Sequence, residues 1–184
     1  RLQAEDILVL AGSIPNSMPD DSYSRMMERL EKQKVSVVVD ATKDLLVNVL
    51  AYHPFLVKPN NYELGEIFGT DLKSREEVIP YAKKMKEMGA VNVLVSMGKE
   101  GAVLAAGDGN IYEAPAPNGT LVNGVGAGDS MVAGFLAGWL EKHAYSHAFY
   151  MGLSAGSASA FSDLLATRKE IETVYRQVMN EEEK

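Results

Sequence analysis

The run Asn123-Gly124-Val125-Gly126-Ala127-Gly128-Asp129 places alternating glycines and one carboxylate just ahead of apolar residues, Met131-Val132-Ala133 and Phe135-Leu136-Ala137. That apolar run reads as a buried helix starting at about Ala127. Glycine tolerates positive φ and lets another molecule come close to backbone N–H groups. A helix N-terminus adds unpaired donors and a partial positive charge, which favour an anion such as phosphate. An acid beside a polyanion has a use when it takes a proton, so Asp129 reads as the base of a phosphoryl transfer. The plain alternative is a tight turn with an acid in the first helical turn. Two other phosphate loops are excluded: a dinucleotide fingerprint needs glycine where Asp129 stands, and a Walker loop needs Gly-Lys-Ser/Thr.

The elements that must position this run alternate. Strands over 7–11, 36–40 and 55–57 are each followed by a helical pattern, over 20–34, 44–52 and 62–68, the first capped by Asp20, Asp21 or Ser22. Ser74 caps a helix over 75–88 that Gly89 closes. Strands over 91–96, 102–106 and 111–114 follow with turns between them, then helices over 127–142, 145–161 and 168–180. Units of this kind imply an α/β fold with a mostly parallel sheet flanked by helices. Ligands of such sheets bind beyond the carboxyl ends of the strands. The unusual residues fall at those ends: Gly12-Ser13-Ile14-Pro15, Asp40, Lys58-Pro59-Asn60 and Ser96-Met97-Gly98. Small residues at Ala155-Gly156-Ser157-Ala158-Ser159-Ala160 allow the helix over 145–161 to pack closely on a neighbour.

Length and composition bound the rest. The 184 residues suffice for one sizeable core, and no linker divides them. A net charge of −7 argues against nucleic-acid or membrane-surface binding. An anionic ligand must then be held by local N–H groups, a few lysines and a divalent cation. The absence of cysteine excludes disulfides and thiolate chemistry and fits a cytoplasmic protein. No apolar run reaches the roughly 18 residues of a membrane span. The chain starts at Arg1 and enters a strand at once, which is expected of a piece from the middle of a domain.

Together these segments resemble the ribokinase-like sugar kinases of the PfkB family. Gly126-Ala127-Gly128-Asp129 is similar to that family's C-terminal signature, Asn60-Asn61-Tyr62-Glu63 to its Asn-x-x-Glu motif, 96–101 to its nucleotide loop, and Gly12-Ser13-Ile14-Pro15 to a further segment. Finer texture, in Asp40-Ala41-Thr42-Lys43-Asp44 and Val57-Lys58-Pro59-Asn60, is similar to the 1-phosphofructokinase branch, with tagatose-6-phosphate kinases close by. The resemblance implies ATP and Mg²⁺ as cofactors and a phosphosugar, fructose 1-phosphate, as acceptor. It implies that Asp129 is the base and that the amides of Gly126, Ala127 and Gly128 form an anion hole. Glu63 would help hold Mg²⁺, mostly through water. Lys58 and Asn60 would reach the nucleotide phosphates, Ser96, Met97, Gly98, Lys99, Glu100 and Gly101 would line the nucleotide, and Ser13 would lie near the sugar phosphate.

Plain readings stand beside these. Asn60 and Glu63 have the spacing of a capping box, 96–101 that of a hairpin turn, and Asp40 the place of a helix cap. His53, His143 and His147 show no ligand spacing. Asn123-Gly124 stands where the family usually has Asp-Thr, a region that supplies ligands in relatives binding a monovalent cation, which argues against potassium activation. Family members also carry N-terminal strands and a lid over the sugar, absent here, so the expectation is the C-terminal, nucleotide-binding part of one domain, inactive by itself. An open sheet edge would invite self-association as a homodimer. The rival of another class is a non-catalytic nucleotide-binding module, which would have no need of Asp129.

Overall fold

The structure, a computed structural model, describes residues 2–12, 18–19 and 21–182. β1 (Ile7–Ala11), β2 (Ser36–Asp40), β3 (Leu56–Val57) and β4 (Asn92–Ser96) run parallel. With β5 (Ala102–Ala105) and β6 (Ile111–Ala114) they form one sheet in the order β1-β2-β3-β4-β5-β6. Val37-Val38-Val39 and Val93-Leu94-Val95 are buried along their whole length. A continuous apolar run is what a parallel strand covered on both faces requires.

Four helices make the crossovers: α1 (Ser22–Leu30), α2 (Lys43–Val47), α3 (Asn61–Phe68) and α4 (Arg75–Glu87). The expected helix over 20–34 is shorter at both ends. Asp20 lies outside the described residues; Asp21 occupies the cap position without a side-chain bond, and Ser22 turns its hydroxyl back to the Pro19 carbonyl at 2.6 Å. Beyond Leu30 no apolar side chain occurs before Val35, so nothing there can pack on the sheet. The expected helix over 44–52 splits into α2 and a 3₁₀ turn, Leu50–Tyr52. β-branched Val47 and Val49 weaken it there, and His53 ends it in a left-handed conformation, φ 53°. Gly89, at φ +133°, closes α4; a Cβ there would lie 2.0 Å from the Leu50 carbonyl oxygen, so no other residue fits.

Contacts divide the chain into two compact units: residues up to Met97 with Val103–Ile111, and Gly98–Ala102 with the residues from Tyr112 on. The first unit holds the sheet core, in which Leu46, Val57, Leu64, Val78, Met85 and Val95 are completely buried. Each such side chain contributes about 1.5–3 kcal/mol. The second is built on α5 (Ala127–Lys142), α6 (Tyr145–Ala160) and α7 (Arg168–Glu182). Cβ atoms built on Gly134, Gly138, Gly152 and Gly156 would lie 2.5–3.0 Å from atoms of the facing helix. Gly134 faces Ala155 and Gly156 faces Ala127, so α5 and α6 run antiparallel with backbone against backbone. His147 joins α5, α6 and α7: its ring nitrogens meet Glu141 Oε2 at 3.0 Å and Tyr175 Oη at 2.8 Å.

Candidate active site

In the first unit the parallel register brings the carboxyl ends of four strands side by side. Ala11 pairs with Asp40, Val39 with Val57 and Val57 with Val93, and beyond the named strands Asn60 bridges to Ser96. Gly12 N–H donates to the Asp40 carbonyl at 3.0 Å, and Ser96 N–H to the Pro59 carbonyl at 3.2 Å. Tyr23 braces this edge, its hydroxyl donating to the carbonyls of Ala11 and Gly12 at 3.0 and 3.2 Å. Burial, with the Asp40 charge adding to it, holds the Tyr23 hydroxyl above its ordinary pKa.

Lys58 is buried, and its ammonium group meets Asp40 Oδ1 at 3.2 Å. Asp40 therefore does not cap the next helix; Thr42 holds that position. Lys58 faces a carboxylate of its own chain, and any phosphate it meets must share the ammonium with Asp40. Asn60 and Glu63 form the complete capping box of α3. The Asn60 side chain accepts from Glu63 N–H at 2.9 Å, and Glu63 Oε2 accepts from Asn60 N–H at 2.8 Å. Glu63 stays half-buried, with its carboxylate at a helix N-terminus. Among the described residues no three His, Cys, Asp or Glu side chains gather around a point. A lone carboxylate suits Mg²⁺, which keeps much of its water and takes phosphate oxygens.

The segment 96–101 crosses from one unit to the other. Ser96 is half-buried, whereas Met97 sinks its side chain into the first unit's core, so only its backbone can face a ligand. Gly98–Glu100 makes one 3₁₀ turn, closed by a Gly101 N–H to Gly98 carbonyl bond of 3.1 Å. The two glycines differ in kind. Gly98, at φ +54°, faces open space, which leaves room for a close approach. At Gly101 a Cβ would lie 1.9 Å from the Ala114 carbonyl oxygen, so the fold itself demands the glycine there. Lys99 and Glu100 are exposed and 3.9 Å apart.

In the second unit α5 begins where the alternating glycines place it. Gly126 is the N-cap at φ 78°, ψ −1°, and no side chain caps the helix. A Cβ on Gly126 would also meet the Leu165 side chain at 2.7 Å. Helix geometry leaves the first-turn N–H groups without acceptors inside the helix. Of the three proposed anion-hole amides, that of Ala127 bonds to the Gly124 carbonyl at 3.3 Å. The Asp129 carboxylate is exposed in the first turn. The preceding loop is fastened to the end of α6 and to the segment after it: Val122 and Asn123 N–H reach the Ala160 carbonyl at 2.8 and 3.1 Å, and Asn123 Nδ2 reaches the Asp163 carbonyl at 3.2 Å.

A family model described as pfkB family carbohydrate kinase matches residues 1–170. The chain belongs to the pfkB family. A 1-phosphofructokinase of Bacillus subtilis (strain 168) is 47% identical over 177 residues, covering 96% of this chain and 58% of that protein. A D-tagatose-1-phosphate kinase of Bacillus licheniformis is 33% identical over 172 residues, covering 93% and 56%. The crystal structure of a putative phosphofructokinase from Staphylococcus aureus superposes with a TM-score of 0.89 at 39% identity, covering 96% of this chain and 57% of that one. The chain thus spans under three fifths of the length of these three relatives. The ribokinase-like α/β fold implied by the motifs is the fold the chain has.

Among the pfkB motif residues, Asn60, Glu63 and Ser96 adjoin one another in the first unit with Asp40 and Lys58. Gly98, Lys99, Glu100, Gly101, the anion-hole glycines and Asp129 belong to the second. Ser13 lies outside the described residues. Sequence reasoning missed the Lys58–Asp40 pair. Its signal was an aspartate and a lysine closing two successive apolar strands.

Proposed function

We propose that this protein is an ATP-dependent phosphosugar kinase that converts fructose 1-phosphate to fructose 1,6-bisphosphate. The reading rests on one observation above all: an exposed carboxylate, Asp129, in the first turn of a helix that begins with a left-handed glycine and has no side-chain cap. Asp129 takes the proton from the attacking sugar hydroxyl as that oxygen bonds to the γ-phosphorus and the bond to the ADP oxygen breaks. The Gly126 and Gly128 amides face the charge on the transferring group. A base of this kind supplies about 10²–10⁴ in rate, and one backbone donor about 3–4 kcal/mol. Mg²⁺, taken through Glu63 and water, would neutralise phosphate charge. Lys58 and Asn60, at the sheet's carboxyl edge, are the proposed phosphate contacts, with Ser96, the Met97 backbone, Gly98, Lys99, Glu100 and Gly101 lining the nucleotide.

The full-length protein with ATP, Mg²⁺ and a panel of sugar phosphates tests this, with ADP release as the readout. Fructose 1-phosphate is expected to be the best acceptor, and Asp129→Ala to lower turnover about 10²–10⁴-fold while ATP still binds. Unchanged turnover in Asp129→Ala sinks the catalytic assignment. A tagatose phosphate is the second acceptor to try, because one relative is named for such a substrate. The proposed compartment is the cytoplasm and the proposed assembly a homodimer. Among the described residues no helix is long and apolar enough to cross a membrane.

A further inference from the structure

The first turn of α5 carries the proposed chemistry, yet it is a poor helix start. Gly126 and Gly128 are the loosest residues a backbone can have, and no side chain caps them. Contacts along α6 hold this turn. A Cβ on Gly156 would lie 3.0 Å from the Ala127 carbonyl oxygen, so the two backbones touch. One turn further toward the end of α6 the contact becomes a hydrogen bond. The Ser159 hydroxyl, 2% exposed, donates to Ser130 Oγ at 2.8 Å. The same oxygen accepts the Ala166 N–H at 3.1 Å. One buried hydroxyl, with one proton and two lone pairs, therefore links the residue after Asp129 to the end of α6 and to the segment that follows it. Packing does not require this oxygen, since the neighbours Ala155, Gly156 and Ala158 show that small apolar residues suit the stripe.

We infer that Ser159 is a positioning residue: through Ser130 it fixes the first turn of α5, so that the Asp129 carboxylate and the Gly128 amide meet the reacting groups in one orientation. The inference rests on the kinase reading above. A misplacement of about 1 Å at a reacting group can cost roughly 10²-fold in rate; a loosened but intact helix costs less, and about tenfold is expected.

The test uses the full-length protein, with kcat counted per ATP-binding site so that misfolded molecules do not enter. Ser159→Ala is expected to lower kcat per site about tenfold with KM for ATP within twofold. Ser159→Thr, which keeps the hydroxyl, is expected to recover most of it, and Ser157→Ala on the same helix to match wild type. Ser130→Ala is expected to lose most of what Ser159→Ala loses, since only the latter also frees the Ala166 N–H, and the double variant to be no worse than Ser159→Ala. A Ser159→Ala kcat within twofold of wild type, or single losses that multiply in the double variant, overturns the inference. Amide hydrogen exchange separates it from the kinase reading. If wild type phosphorylates no sugar phosphate, that reading falls, and the positioning role is judged on exchange alone. Exchange about tenfold faster at Ser130 and Met131 in Ser159→Ala supports it, and unchanged exchange refutes it.

Discussion

Removing one partner of the Lys58–Asp40 pair exposes how much of the sheet's carboxyl edge depends on it. The two groups are 3.2 Å apart, and their side chains are 8% and 18% exposed. A buried pair that loses one member costs about 3–5 kcal/mol, because the remaining charge has neither water nor a counter-ion. Asp40→Asn leaves the more buried charge behind, so about 3 kcal/mol is expected, the low end because the edge is partly wet. Lys58→Met leaves the better hydrated carboxylate and costs about 2 kcal/mol by the same reasoning. The double variant replaces both charges, and the methionine follows the path of the lysine stem; it is expected within about 1 kcal/mol of wild type. At about 2–4 °C per kcal/mol for a chain of this size, Asp40→Asn lowers Tm by roughly 6–12 °C. Urea titration followed by far-UV circular dichroism reads all three variants. Fluorescence is the wrong probe, because the single tryptophan, Trp139, lies in the other unit. An Asp40→Asn cost below about 0.5 kcal/mol, or a double variant no more stable than its worse parent, would refute the reasoning.

Asn60→Ala removes the α3 cap and is expected to cost about 1 kcal/mol in urea without any nucleotide present; no loss would mean the capping box carries nothing. Gly134→Ala drives a Cβ to 2.5 Å from Ala155 Cβ and 2.6 Å from the Met151 carbonyl oxygen. Overpacking of about 1–3 kcal/mol outweighs a helix-propensity gain of at most about 1 kcal/mol, so Tm falls; a rise would show that the helices part freely. Glu141 is held below the usual carboxylate pKa, first by its hydrogen bond to His147. A lowered folded value contributes stability that is present above the unfolded value, about 4.3, and lost as pH falls through the folded one. Glu141→Gln is accordingly expected to trail wild type at neutral pH and to converge with it below roughly pH 4; a constant gap across that range contradicts the assignment.

What could be read from the sequence was local. The start of α5 at Ala127 follows from glycines preceding an apolar run, and β1 and β6 stand where their apolar residues place them. The Asn60–Glu63 spacing by itself favours a cap, the ligand reading drawing its weight from the neighbouring motifs, and the cap is present in the geometry. Tertiary relations were not legible. Lys58 meets Asp40 only because β2 and β3 share a parallel register. Ser159 sits in a stripe of small residues that reads as close packing, and nothing local marks its hydroxyl as the bond to Ser130. Gly101 reads as a nucleotide-loop glycine, and no sequence pattern shows that the Ala114 carbonyl also demands a glycine there.

The bare wall between α5 and α6 has a bearing on sequence drift. At Gly134, Gly138, Gly152 and Gly156 a main-chain atom of the facing helix stands 2.6–3.0 Å from where a Cβ would be, so even one added methyl must push backbone aside. Heritable change is barred there and left to solvent-facing residues such as Val125 and Leu164, both more than four-fifths exposed. Variation among orthologues is then expected to spare this wall and to gather at positions with solvent around them.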